Sequence, residues 1–188
     1  MTRKRSFDII LASLLSVLFL LPMLLIALWI SLTSKGPALY WSERVGQNNQ
    51  IFKMPKFRSM YLGTPVVATH LLQDSQRHIT AVGKFLRKTS LDELPQLWSV
   101  LRGQMSFVGP RPALFNQTDL IELRTKSGVS RLLPGVTGWA QINGRDELNS
   151  VEKARFDVEY LHRYNLRFDS YIMFLTLMKV WKRENVSH

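Results

Sequence analysis

The chain has 188 residues, a formal net charge of +11 and 46% hydrophobic residues. This length suits one domain with an appendage and is too short for two full domains, and the composition is that of a folded protein. No cysteine is present, which excludes disulfides, thiolate nucleophiles and zinc sites built on cysteine. The positive charge implies an anionic partner, for which nucleic acid, an anionic lipid surface and a phosphorylated substrate all qualify.

An uncharged apolar segment covers residues 9–32, where the only polar side chains are Ser13, Ser16 and Ser31. As a helix it would extend roughly 36 Å at 1.5 Å per residue, which is enough to cross a hydrocarbon core of about 30 Å. A cleaved signal peptide is disfavoured because the run is too long and no small-residue cleavage site follows it. The segment is therefore predicted to lie in a membrane.

The charges on both sides of this segment bear on its topology. Basic residues precede it and follow it, and acidic ones hardly balance them: Arg3, Lys4 and Arg5 before, and Lys35, Arg44, Lys53, Lys56 and Arg58 after, against Glu43. Both ends therefore prefer the cytoplasmic side. Pro22 lacks an N–H for the carbonyl of Leu18 and is expected to kink the helix. An ordinary spanning helix is the alternative, but the pattern favours a re-entrant hairpin, with an anchor of residues 1–34 and a cytoplasmic or interfacial domain of residues 35–188.

The rest of the chain predicts an α+β fold that is mostly helical, with short strands. The expected strands are residues 38–41, 50–53 and 139–142, the last flanked by turn signals. Residues 61–80 are predicted as a surface loop, and residues 109–112, Gly-Pro-Arg-Pro, as a stiff non-helical loop. Helices are expected at residues 82–88, 92–101, 117–126, 152–164 and 171–181, the last of them either a core helix or one lying in the membrane interface.

Two adjacent carboxylates, Asp92 and Glu93, lie at a predicted helix start. One interpretation is structural, either a capping box from Ser90 to Glu93 or a cap by Asp92 that leaves Pro95 in the free first turn. The other is chemical, because a helix N-terminus favours phosphate and keeps a carboxylate ionised as a nucleophile. The pair also suits Mg²⁺, which prefers oxygen ligands. Taken alone, these residues favour capping.

Cations that could bind phosphate are spread along the sequence. Arg111, held between two prolines, presents a guanidinium that matches phosphate oxygens. A salt bridge or a solvated loop position explains it equally well. A basic rim around the site could also include Lys56, Arg58, Arg87 and Arg145. Asp157 lies beside the apolar stripe of its helix, where an ion pair with a nearby arginine is the simplest interpretation and a place in the site is the other.

Ordered motifs along nearly the whole chain resemble one family. They are KFRSM at residues 56–60, GKFLRKTSLDELPQLW at 83–98, VLRGQMSFVGPRP at 100–112 and PGVTGWAQINGR at 134–145. The chain is similar in these to the bacterial sugar transferases, small monotopic phosphoglycosyl transferases. One departure is Leu21-Pro22, where members of the family often have Ser-Pro.

The resemblance implies a membrane enzyme that moves a sugar-1-phosphate from a UDP-sugar to undecaprenyl phosphate and releases UMP. It implies a re-entrant helix broken at Pro22 in the bacterial inner membrane, with the catalytic domain on the cytoplasmic face. Asp92 would be the nucleophile that forms an aspartyl-phosphosugar, and Glu93 its partner in binding Mg²⁺ or in orientation. Arg87 and Arg111 would contact phosphate or uridine, and Asp157 would be an accessory acid.

The resemblance also bears on the partners. Segments 64–69 and 112–117 look similar to members that use an N-acetylated amino sugar in capsule or O-antigen synthesis. Membrane lipids and a homodimer are compatible with it, and nucleic acid is not expected. Two rivals are a membrane-anchored basic adaptor without catalysis and a glycosyltransferase that releases UDP. The adaptor leaves the Asp-Glu pair and the Gly-Pro-Arg-Pro loop unexplained.

Overall fold

A computed structural model describes residues 3–65, 75–144 and 147–182. The chain begins with helices α1, Arg3–Leu18, and α2, Leu20–Thr33, which are bent by 59° at Phe19. Pro22 is the third residue of α2, so its ring crowds the carbonyl of Leu18 and its nitrogen cannot donate to it. The predicted break is therefore present three residues before the proline. In the described part of the chain, no single helix is long and apolar enough to span a membrane. The two helices of the bent pair together have the length and composition for it.

Short strands form two small sheets. Strands β1, Leu39–Val45, and β2, Ile51–Phe57, pair as an antiparallel hairpin, and β4, Ala113–Leu114, joins the other side of β1. Because β2 is an edge strand, Pro55 lies where a missing N–H costs little. Strands β3, Ser106–Val108, and β5, Gly135–Thr137, pair in parallel.

Helices make up the rest of the fold. In chain order they are α3, Ser75–His78; α4, Ala81–Thr89; a 3₁₀ helix, Leu91–Gln96, that runs into α5, Leu97–Leu101; α6, Thr118–Lys126; α7, Trp139–Ile142; α8, Ser150–His162; and α9, Leu166–Lys182. Two single 3₁₀ turns lie at Gln47–Asn49 and Val129–Arg131. The mixed, mainly helical class and five of the expected helices are therefore confirmed within a few residues at their ends, except that the first half of residues 92–101 is 3₁₀.

Two sequence-based expectations for secondary structure are wrong. Residues 139–142 form helix α7 and not a strand, and the Trp139 ring packs against Phe168. A four-residue apolar run carries no periodicity that separates the two states. The predicted loop 61–80 contains the short helix α3, and residues 66–74 of it lie outside the described residues.

The main core joins the start of the chain to its end. Ala12 of α1 is fully buried in a cluster with Val100, Met105, Tyr160 and Ile172. The predicted anchor, residues 1–34, therefore shares a hydrophobic core with the predicted domain of residues 35–188. Helix α2 packs in a second cluster, whose buried members are Ile26, Ile30, Phe57, Val82 and Leu86, with Leu91 and Leu94 against it.

Buried polar groups hold the start of α1 in this domain. The Lys4 ammonium lies 2.5 Å from the Asp169 carboxylate and 3.0 Å from the Val108 carbonyl. Arg5 donates to the carbonyls of Val100 and Leu101, at 2.5 and 2.8 Å. From the sequence, Lys4 and Arg5 were interpreted as signals for membrane topology. In the structure they bind groups of the folded domain.

Further hydrogen bonds hold α1 near its start and α2 at its end. Asp8 accepts a hydrogen bond from the Phe107 N–H at 3.2 Å, near the start of α1. Beyond α2, the buried Arg58 guanidinium donates to the carbonyl and hydroxyl of Ser34, at 2.9 and 2.8 Å, and to the Lys35 carbonyl. Both ends of the apolar helices are therefore attached to one folded domain.

Pro22→Ala is expected to straighten the bent pair, because it removes the clash with Leu18 and restores a backbone donor. Spin labels at the exposed positions 10 and 32, introduced as Ile10→Cys and Leu32→Cys in this cysteine-free chain, should move apart by roughly 4 Å at 1.5 Å of rise per residue. Electron–electron resonance distances measure this. An unchanged distance would show that another contact makes the bend.

Candidate active site

Glu93 lies at the centre of a cluster of cations. Strand β2 packs on the 3₁₀ helix Leu91–Gln96 and brings the Lys56 ammonium to 2.7 Å from Glu93 Oε1. The Arg111 guanidinium, from the loop after β3, lies 3.1 Å from the same oxygen. The carboxylate therefore joins three segments that are far apart in sequence, and it holds side by side two cationic side chains of a kind that can bind phosphate.

Asp92 lies next to this cluster in a different environment. Its side chain is buried, and no residue that the structure describes donates a hydrogen bond to its carboxylate. Burial, and then the charge of Glu93, raise the pKa of Asp92, while the charges of Lys56, Arg87 and Arg111 oppose that rise. The expectation that the helix start keeps this carboxylate ionised is therefore wrong in direction, because burial outweighs it. Burial also disfavours the charged form of Lys56 and lowers its pKa. The arrangement is a desolvated acceptor surrounded by cations, which suits an anionic reactant.

Capping does not explain the Asp-Glu pair. Ser90 precedes the 3₁₀ helix in a left-handed conformation, with φ of 57°, and its side chain makes no capping hydrogen bond. The Glu93 N–H instead reaches the Ser90 carbonyl at 3.2 Å. Both capping interpretations are wrong, because Glu93 points to Lys56 and Asp92 lies inside the helix as its second residue. The side-chain cap in this region is Thr80, which accepts a hydrogen bond from Gly83 at the start of α4.

The loop 109–112 is non-helical, as predicted, and is packed tightly on the segment around β5. A Cβ at Gly109 would overlap the Leu133 carbonyl, and one at Gly138 would overlap the Gly109 carbonyl. The Gly109 N–H donates to the Thr137 carbonyl at 2.9 Å. Two motifs separated by about 25 residues of sequence thus meet as touching backbones, which requires glycine.

Asp157 reaches this loop through another residue. Its carboxylate, 1% exposed, accepts from Nε and Nη2 of Arg124 at 2.9 and 2.7 Å. Nη1 of Arg124 donates to the Arg111 carbonyl at 2.8 Å. Burial raises the pKa of Asp157 and the Arg124 charge opposes the rise; two short bonds mark an ion pair. The ion-pair interpretation is confirmed. Arg124 itself carries no signal in a single sequence, because its partners come from other elements.

The remaining predicted residues are placed differently. Arg87, in the last turn of α4, is close enough to act electrostatically on Asp92. Arg58 directs its described hydrogen bonds to Ser34 and Lys35 at the end of α2, so it holds the helix pair and is not part of the Glu93 cluster. Arg145 lies outside the described residues. The structure therefore brings together Lys56, Arg87, Asp92, Glu93 and Arg111.

A family model for bacterial sugar transferases matches residues 1–183. The chain belongs to this family. It is 42% identical over 184 residues to the UDP-glucose:undecaprenyl-phosphate glucose-1-phosphate transferase of Escherichia coli (strain K12), covering 94% of this chain and 39% of the relative. It is 37% identical over 200 residues to the undecaprenyl-phosphate galactose phosphotransferase of Salmonella typhimurium, covering 96% and 41%.

A shorter relative matches over most of its own length. The exopolysaccharide production protein ExoY of Rhizobium meliloti is 39% identical over 195 residues, which are 94% of this chain and 84% of ExoY. By contrast, this bacterial sugar transferase chain spans about two fifths of the length of the Escherichia coli and Salmonella proteins. The matched region includes the cation cluster and the helix that carries Asp92.

Asp92 and Glu93 are only two candidate ligands for a metal ion in this sugar transferase. Within the described ranges, no group of three or more histidine, aspartate and glutamate side chains could hold a metal ion. Mg²⁺ usually needs only one or two carboxylates, because substrate phosphates and water complete its coordination. Asp92 and Glu93 supply two, and a divalent cation would offset the burial and repulsion that raise the pKa of Asp92. The donor set fits Mg²⁺ bound together with a phosphate.

Asp92→Asn is expected to raise the apparent unfolding temperature at pH 7. A carboxyl whose folded pKa exceeds its ordinary 3.8 destabilises the fold increasingly as pH rises from 3.8 through the raised value, and asparagine removes that cost. The unfolding temperature should rise by a few degrees, because each kcal/mol of added stability raises it by about 2–4 °C in a protein of this size. The rise should vanish toward pH 3.5.

Circular dichroism in detergent measures this shift. The matched control is Asp119→Asn, an exposed acid whose pKa is lowered, first by a hydrogen bond from Ser150; that variant should not gain stability. A lower unfolding temperature for Asp92→Asn at pH 7 would show that the buried carboxylate is stabilising.

Proposed function

We propose that this chain catalyses transfer of a sugar-1-phosphate from a UDP-sugar to undecaprenyl phosphate, with Asp92 as the covalent nucleophile. The observation that carries the proposal is a buried carboxylate that accepts no hydrogen bond from the residues that the structure describes, beside Lys56, Arg87 and Arg111. A carboxylate in such a place is desolvated and reactive, and the cations can receive phosphate charge. The names of the relatives support the substrate class.

In the first step an Asp92 oxygen attacks the β-phosphorus of the UDP-sugar. A bond forms between that oxygen and phosphorus, and the phosphoanhydride bond to UMP breaks with its electrons leaving on UMP. Arg111 and Lys56 are close enough to each other, through Glu93, to stabilise charge on the nucleotide phosphate and on the transferred group. Positioning and electrostatics would supply most of the acceleration, as in other phosphoryl transfers.

In the second step a phosphate oxygen of the lipid attacks the same phosphorus. The acyl phosphate bond to Asp92 breaks, the carboxylate is restored, and the lipid carries a diphosphate-linked sugar. The acceptor oxygen is already anionic, so the step needs no strong general base. Mg²⁺, held by Asp92 and Glu93 with phosphate oxygens, would neutralise negative charge in the site.

We further propose that α1 and α2 form a re-entrant hairpin in the bacterial inner membrane, with the catalytic domain on its cytoplasmic face. Lys4, Arg5 and Asp8 at one end, and Arg58 through Ser34 at the other, attach both ends of the apolar pair to one domain. Its outer surface is apolar where lipid would contact it, at Leu14, Val17, Leu18, Leu21, Leu24, Leu25 and Leu28. This placement would bring a lipid acceptor and a soluble nucleotide sugar to one site.

Impermeant thiol reagents test this topology. Arg3→Cys and Glu43→Cys, both at exposed positions, should be labelled only from the cytoplasmic side, because the chain has no native cysteine and both ends attach to one domain. Leu21→Cys, in the bend region, should be protected from both sides. Labelling of positions 3 and 43 from opposite sides would exclude the hairpin.

The activity test uses UDP-sugar, undecaprenyl phosphate and Mg²⁺, with detection of the released nucleotide. Wild-type protein should release UMP and, without lipid, should retain the labelled sugar phosphate on Asp92. Asp92→Asn should lose about three orders of magnitude or more in rate while staying folded, and Glu93→Gln should be severely impaired.

The exposed Asp119→Asn variant is the matched control and should keep its rate. Release of UDP would indicate direct glycosyl transfer, and no release with any donor would favour the adaptor. Label on a peptide without Asp92 would refute the assigned nucleophile.

The identity of the sugar can be read from the same assay. The relatives are named for glucose and galactose, and we propose a UDP-hexose of that kind as donor. The expected preference for an N-acetylated amino sugar rests on segments 64–69 and 112–117, and residues 66–69 lie outside the described residues; it stays a prediction. A donor panel that yields UMP only with N-acetylated amino sugars would confirm it and overturn the hexose proposal.

A further inference from the structure

The loop that presents Arg111 is held by its carbonyl groups. Pro110 and Pro112 have no N–H, so the loop offers few donors of its own. The Val108 carbonyl accepts from Lys4 and Tyr160 at 3.0 and 3.1 Å, and the Pro110 carbonyl accepts from the Gly135 N–H at 2.9 Å. Further along, the Pro112 carbonyl accepts from Arg44 at 3.3 Å. Donors from several other elements, two of them cations, therefore hold the carbonyl groups of this segment.

Arg124 makes the bond closest to the functional side chain. It donates to the carbonyl of Arg111 itself, at 2.8 Å, from the last turn of α6. The same guanidinium is fixed by two bonds to Asp157, a residue of α8 that is 1% exposed. Three N–H groups of the planar guanidinium therefore bind two partners, the Asp157 carboxylate and the Arg111 carbonyl. A lysine ammonium on a flexible stem cannot reproduce this.

We infer that Arg124, oriented by Asp157, is a positioning residue that sets where the Arg111 guanidinium meets Glu93 and the substrate phosphate. The inference rests on the proposed function for its kinetic consequence. It also assigns Asp157 a part in the site without contact to substrate. Because Arg124 is buried and donates to the Arg111 carbonyl, we expect its effect on the reaction to pass through Arg111.

Kinetics of Arg124→Lys and Asp157→Asn test this relay. Each should lower kcat/KM by about 10- to 100-fold, as for other residues that orient a functional group through a hydrogen bond. Each should also change KM and kcat in the same proportion as Arg111→Ala does. In the Arg111→Ala background, adding Arg124→Lys should cost less than about threefold more, because effects that pass through one residue do not add. Full multiplication of the two losses would overturn the relay.

A second measurement does not depend on activity. Hydrogen–deuterium exchange of a peptide spanning residues 105–117 should quicken at least about fivefold in Arg124→Lys, with no change in α9. Lys126→Met, which removes an exposed pair with Glu122 on the same helix, is the matched control and should change neither exchange nor kinetics. Unchanged exchange of the loop in Arg124→Lys would overturn the inference.

These two readouts also separate this inference from the proposed function. If wild-type protein releases no UMP, the proposed function fails, while quickened exchange in Arg124→Lys still supports the attachment of the loop. If wild-type protein is active and Arg124→Lys keeps full kcat/KM, the relay fails and the proposed function stands.

Discussion

The buried contacts of Lys4 and Arg58 constrain the rest of the molecule. They attach opposite ends of the bent apolar helices to one domain, at Asp169 and Val108 on one side and at Ser34 on the other. Removing one partner of a buried ion pair costs about 3–5 kcal/mol, because the other charge is left unpaired. The bend at Phe19, which Pro22 favours, lets both ends of the pair reach this domain.

The first helix belongs to the bent apolar pair and also supports the site. Its Lys4 holds the Val108 carbonyl, one residue before the loop that carries Arg111, and its Ala12 packs in the main core. Helix α2 packs in turn against Leu91 and Leu94, which flank the Asp-Glu pair. The loop that carries Arg111 and the 3₁₀ helix that carries the Asp-Glu pair are therefore both supported by the bent helix pair, so the position of that pair and the geometry of the site are physically connected.

The sequence predicted the helices well where apolar residues recur with a helical period, as in α6 and α8. It also predicted the bend and the stiff loop, because proline acts locally through its ring and its missing N–H. Its errors concern residues whose state depends on distant neighbours. Residues 139–142 form a helix whose Trp139 packs on the distant Phe168, and Glu93 pairs with Lys56 and Arg111 in place of a capping box with Ser90.

What the sequence by itself determined is local and chemical: an apolar segment with basic flanks, a proline that bends it, and an acidic pair with cations in ordered motifs. The tertiary structure alone decided which cations meet the pair. Arg58 and Arg87 were both candidates for the basic rim, yet Arg58 holds the end of α2 and Arg87 acts on Asp92. Arg124 was not a candidate at all. The reason is that an ion pair depends on distance and burial, and both arise only when elements far apart in sequence pack together.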